Sequence, residues 1–135
     1  MNTREHMIHM AKAVMLNAYS PYSNFQVGAC VRTSNDDYFA GCNVENVSYG
    51  LTLCAEASAL AALISSGNKR IVEVAVVCSS NNFCSPCGAC RQRLAEFASP
   101  DTPVHMTNAE GEHLTVLLGD LLPQPFNQQH FEEKR

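Results

Sequence analysis

The chain has 135 residues, 46% apolar and 16% charged, with 9 Lys plus Arg against 13 Asp plus Glu for a net charge of −4. That composition suits one globular domain over 1–135 and excludes a disordered chain or a coiled coil. Basic residues nowhere fall three together, which argues against a nucleic-acid partner, and the longest apolar run, Ala59 to Ile64, is far too short for a membrane span.

The N-terminus, Met1 to His6, is polar and mixed in charge, so the expected compartment is the cytoplasm. Seven cysteines in that setting are expected as reduced thiols or metal ligands, and the odd count further weakens a disulfide framework. Asn2 with Glu5 at N3 caps a helix predicted over about residues 3–17, with Met7, Met10, Ala11, Val14 and Ala18 along one face. Tyr19 to Asn24 is turn-like. Phe25, Val27, Ala29 and Val31 then alternate with smaller or polar residues as a strand, and Tyr38 to Glu45 follows as its hairpin partner across the turn Ser34 to Asp37.

After a loop, Asn46 to Thr52, helix formers run from Cys54 to Ser66 and stop at Gly67. Val72 to Val77 reads as a strand buried on both faces. A loop over Ser79 to Pro86 leads into a helix over Cys87 to Phe97. Two further strands, Val104 to Thr107 and His113 to Leu117, flank the turn Asn108 to Gly111, before a tail carrying Leu121, Leu122, Pro123 and Phe126. The order αββαβαββ implies a mixed sheet layered with helices, the second and third helices acting as crossovers.

Cys87 and Cys90 stand three apart on the first turn of one helix, and Cys54 has the same placement at the start of another. Unpaired N–H groups at a helix start favour thiolates, so two such starts can meet at one soft cation. Zinc suits three sulfurs and keeps a fourth position open in catalytic sites; Glu56, too close to Cys54 to be a natural fourth ligand, can exchange a proton with water there. The bland alternative is a closed four-cysteine site with Cys84 as fourth ligand, in a zinc-stabilised binding domain without catalysis. That leaves Glu56 without a purpose. Cys30, Cys42 and Cys78 read as small buried hydrophobes, and none of the five histidines is assigned a role. Asn43 and Glu45, two apart on a strand, share a face suited to a vicinal diol, while Phe25 by alternation alone reads as core.

Cys54-Ala55-Glu56 followed by Pro86-Cys87-Gly88-Ala89-Cys90 is similar to the signature of the zinc deaminases. Beyond it, Tyr22 to Ala29, Gly41 to Asn46, Ser48-Tyr49-Gly50, Ser85 to Gln92 and Glu96-Phe97 resemble the small homotetrameric cytidine deaminases, over nearly the whole chain from Tyr19 to about Phe126. The resemblance implies a three-layer α/β/α fold with a mixed five-stranded sheet. It implies Zn²⁺ as cofactor on Cys54, Cys87 and Cys90, with Glu56 as proton shuttle. The implied reaction is hydrolysis of free cytidine and 2′-deoxycytidine to uridine and 2′-deoxyuridine, with release of ammonia, in pyrimidine salvage. It further implies that Phe25 packs on the pyrimidine, Asn43 and Glu45 bond the ribose hydroxyls, and the backbone of Ala55 and Ser85 reads the base edge. Tyr49 and Phe126 are implied in sites completed across subunits.

One position departs from the family. An arginine that bonds the zinc thiolates commonly follows the Cys-Ala-Glu triplet there, whereas this chain has Ala57. Three thiolates and Zn²⁺ sum to −1, so another donor is needed to draw charge from sulfur. Arg91, which matches a second family arginine, is the expected one, with Arg93 or helix N–H groups as further help. Ala57 also leaves a related aminopyrimidine nucleoside as the alternative substrate.

Overall fold

The computed structural model describes residues 1–132 and opens with Asn2 accepting the Glu5 backbone N–H at 2.8 Å, which caps α1 (Thr3–Met15). Next come β1 (Val27–Arg32), β2 (Tyr38–Cys42), α2 (Ala55–Ser65), β3 (Glu73–Cys78), α3 (Gly88–Phe97), β4 (Pro103–Thr107) and β5 (His113–Leu117). The strands form one sheet in the order β2-β1-β3-β4-β5, in which only β3 and β4 are a parallel pair. Because β1 is antiparallel to both neighbours, β2 and β3 run the same way, and α2 crosses over β1 to join them. α3 makes the second crossover, from β3 to β4.

Strand alternation sends Val27, Ala29, Val31, Val74, Val76 and Val104 to one face, where Ala59 and Leu63 of α2 and Leu94 of α3 cover them. Cys30, Ala75 and Val77 point to the other face, against Met7, Ile8 and Ala11 of α1. The result is the expected three layers, with a mixed sheet between one helix and two.

α1 approaches β1 so closely that a Cβ built on Gly28 would lie 2.0 Å from the Ala11 carbonyl oxygen. Backbone cannot yield as a side-chain tip can, so Gly28→Ala is expected to cost about 3 kcal/mol, at the upper end of overpacking penalties. A urea unfolding curve measures it, and an unchanged midpoint would show that α1 moves off the sheet at little cost.

Several boundaries differ from the sequence expectation. β1 begins at Val27 and β2 ends at Cys42, because the Asn43 side chain replaces the strand partner: its Oδ1 accepts the Val27 N–H at 2.9 Å and its Nδ2 donates to the Phe25 carbonyl at 2.8 Å. Val44 then leaves the ladder to bridge Tyr19 and Leu53. α1 stops at Met15, two residues early, and the Tyr19 N–H turns to the Asn43 carbonyl. The loop after β2 contains a short 3-10 turn, Tyr49–Leu51, and the tail forms α4 (Leu118–Leu121) and α5 (Gln129–Glu132), neither of which the sequence pattern announced.

Candidate active site

α2 and α3 begin on the residues that carry sulfur. Cys54 is the N-cap of α2 and Cys87 the N-cap of α3, both extended in backbone, and neither thiol makes a close capping hydrogen bond to its helix. Their thiols are therefore free to face each other, 3.8 Å apart, and Cys90 joins them so that all three sulfurs lie within 4.8 Å of one another. Zn–S bonds of about 2.3 Å put two sulfurs of a tetrahedral site about 3.8 Å apart, so the set fits zinc in both donor softness and spacing. Cys84 is outside the cluster. It packs against the core, and burial, reinforced by Cys78, pushes its thiol up to about 12.

The three thiols differ in environment. Burial raises Cys54 and Cys90. Burial also pushes Cys87 up, but the Cys90 backbone N–H and the thiols of Cys90 and Cys54 outweigh it and hold Cys87 below its ordinary value. One N–H at the start of α3 thus supports the thiolate form.

Glu56, on the first turn of α2 and 6% exposed, faces a cleft of about 310 Å³ that Cys54 and Cys87 also line. Burial raises its carboxyl above the ordinary value, while its own backbone N–H and the charge of Arg93 oppose that rise. The same cleft gathers Phe25, Asn43, Glu45, Ala55 and Ser85 from four separate stretches of chain, together with Ser23 and Thr52.

Glu45 is fixed by the turn before β1: it accepts the backbone N–H groups of Tyr22 and Ser23 and the Ser23 hydroxyl. The Ser23 hydroxyl, followed by those N–H groups, holds its carboxylate below the ordinary range. Ser23 and Thr52 received no role from sequence reasoning. The available signal for Ser23 was its turn chemistry, since its Oγ also accepts the Phe25 N–H two residues on.

Tyr49 lies beyond the cleft, lining an adjoining hollow with Tyr22, Glu45 and Thr52, and is 78% exposed. Phe126 is elsewhere. Its backbone is bonded at both N–H and carbonyl by the Gln92 side chain of α3, and its ring stands edge-on to Phe131 with centroids 5.4 Å apart. Within one chain it does not line the cleft.

Arg91 does not act as the expected thiol donor. Its guanidinium donates to the carbonyls of Pro86 and Leu121 and to the Ser85 hydroxyl, because the packing of α4 beside α3 turns it away from sulfur. Arg93 donates to Cys90 Sγ instead, at 3.5 Å.

Comparison with known proteins is consistent with this geometry. Residues 1–106 match the family model described as the cytidine and deoxycytidylate deaminase zinc-binding region. The chain is 42% identical over 123 residues to a cytidine deaminase of Halalkalibacterium halodurans, covering 91% of this chain and 93% of that one. It is similar to the crystal structure of cytidine deaminase from Burkholderia pseudomallei, with a TM-score of 0.88 and 43% identity over 93% of this chain and all of that one. For the cytidine deaminase of Mycobacterium tuberculosis the TM-score is 0.81, with 38% identity over 94% of this chain and 99% of that one.

Proposed function

Given that the chain belongs to the family of cytidine and deoxycytidylate deaminases, we propose that it hydrolyses free cytidine and 2′-deoxycytidine to uridine and 2′-deoxyuridine, releasing ammonia. The observation that carries this reading is the pairing of a buried carboxylate, Glu56, with a cluster of three thiols, two of which line the same cleft. Cys54, Cys87 and Cys90 hold the metal. Zinc bound there supplies Lewis acidity that lets water act as a nucleophile at neutral pH.

The remaining steps belong to the chain itself. Glu56 accepts a proton from the attacking water and passes it to N3 of the cytosine as C4 becomes tetrahedral; protons relayed by the same carboxylate let the amino group depart as ammonia. Phe25 supports the ring face, and the backbone of Ala55 and Ser85 meets the polar edge of the base. Asn43 and Glu45 bond the sugar, and the 3′-hydroxyl, present in ribose and deoxyribose alike, accounts for both substrates. The charged groups that line the cleft are the two carboxylates Glu45 and Glu56, which disfavours a phosphorylated substrate and supports the free nucleoside.

The proposed assembly is a homotetramer of single-domain subunits. Its support is the exposed apolar side chains of Val47, Tyr49 and Leu51 in the loop before α2, Tyr49 lining the hollow that adjoins the cleft. Seven unpaired cysteines suit a reducing, cytoplasmic setting for pyrimidine salvage, and no helix among the described residues is long and apolar enough to cross a membrane. The test is one preparation measured for zinc content and for the fall in ultraviolet absorbance as cytidine becomes uridine. We expect one zinc per chain and turnover that vanishes when the metal is chelated. Stoichiometric zinc with no turnover of either nucleoside would overturn the reading.

A further inference from the structure

Arg93 takes part in none of these steps. It stands one turn beyond Cys90 on α3, at the i+3 position where helical side chains are neighbours, and its Nη1 donates to Cys90 Sγ at 3.5 Å. Its charge also acts on Cys54 and Cys87. Among the described residues no other side-chain cation is hydrogen-bonded to any of the three sulfurs, because Arg91 is held by Pro86, Leu121 and Ser85. On α2 the residue that follows Glu56 is Ala57, which carries no side-chain donor.

Three thiolates around a divalent cation leave an excess negative charge, −3 + 2 = −1, which weakens the cation as a Lewis acid and opposes gathering the third thiolate. We propose that Arg93 is a positioning residue that offsets this excess through its bond to Cys90, so that the compensating charge comes from α3 where α2 has only Ala57. The proposal rests on the zinc reading above. Arg93 is solvent-exposed, so its charge is screened and its effect belongs at the lower end of the 10–100-fold range for groups that support metal ligands.

Arg93→Met keeps the apolar stem and removes the charge, and at an exposed position it leaves no buried gap. Two readouts test it: zinc affinity by competition with a chelator of known strength, and the absorption spectrum of the cobalt-substituted protein. We expect Arg93→Met to bind zinc about tenfold more weakly. Its sulfur-to-cobalt charge-transfer band should move to lower energy, because the sulfur is more electron-rich, with the tetrahedral ligand-field bands unchanged. Arg93→Lys, which retains the charge, should recover most of both effects.

A zinc-loaded Arg93→Met protein with unaltered affinity and an unshifted band would overturn the proposal. So would equal losses in the Met and Lys variants, since these would assign the effect to the shape of the guanidinium and not its charge. Failure of the unmodified protein to bind zinc in the same titration would instead remove the metal reading itself, so the two failures are distinguishable.

Discussion

We expect a Glu56→Gln protein to keep its fold and its zinc but to deaminate cytidine about 10⁴-fold more slowly. General acid–base catalysis contributes roughly 10²–10⁴, and the upper figure applies because the proposed reaction has this one carboxylate both receive and deliver protons. The amide has nearly the same shape as the carboxylate it replaces, so the packing of the first turn of α2, where Glu56 is 6% exposed, is preserved. Burial raises the Glu56 carboxyl above its ordinary value, and a glutamine has no carboxyl proton to exchange. Zinc content and kcat measured on the same sample check the prediction. Full turnover with zinc intact would remove Glu56 from the reaction.

The second large effect is on metal and fold together. Cys87→Ala takes away one corner of a triangle whose sulfurs lie within 4.8 Å, leaving one thiol on α2 and one on α3. We expect zinc to fall from one to under about a tenth per chain after dialysis, since two thiolates cannot hold a tetrahedral ion as three do. Stability follows by linkage: free zinc at about 1,000 times its dissociation constant stabilises the holoprotein by about 4 kcal/mol, and that contribution disappears with the site. The unfolding midpoint of Cys87→Ala should therefore match that of the chelated unmodified protein. Cys84→Ala, outside the cluster, should retain its metal. Retention of stoichiometric zinc by Cys87→Ala would refute the ligand set.

The reach of sequence reasoning is clearest at particular residues. The i, i+3 spacing of Cys87 and Cys90 at the head of a run of helix formers implies a helix start that brings both sulfurs to one side, and the alternation of Val27, Ala29 and Val31 implies a strand with one face in the core. Both signals are local and periodic, so they survive the absence of a structure. Asn43 is different. By strand geometry it shares a face with Glu45, yet its amide is bonded on both sides to the backbone at Phe25 and Val27, sixteen or more residues away, and that contact is what ends the ladder. Phe126 sits within the resemblance, yet in one chain it lies along α3 and not at the cleft.

The amino-acid order by itself marked Cys54, Cys87 and Cys90 as the proposed zinc ligands and placed them at the starts of two helices, because their spacing and the helix formers that follow are local signals. It also determined that a carboxylate lies beside the first cysteine. Only the packing of α2 and α3 on one sheet face decided that these two helix starts meet, that Cys84 stays outside the cluster, and that Arg91 turns to Leu121 while Arg93 turns to sulfur. The physical reason is range. A side chain with several rotatable bonds chooses among partners supplied by distant segments, and those partners exist only once hydrophobic burial has fixed the layers against each other.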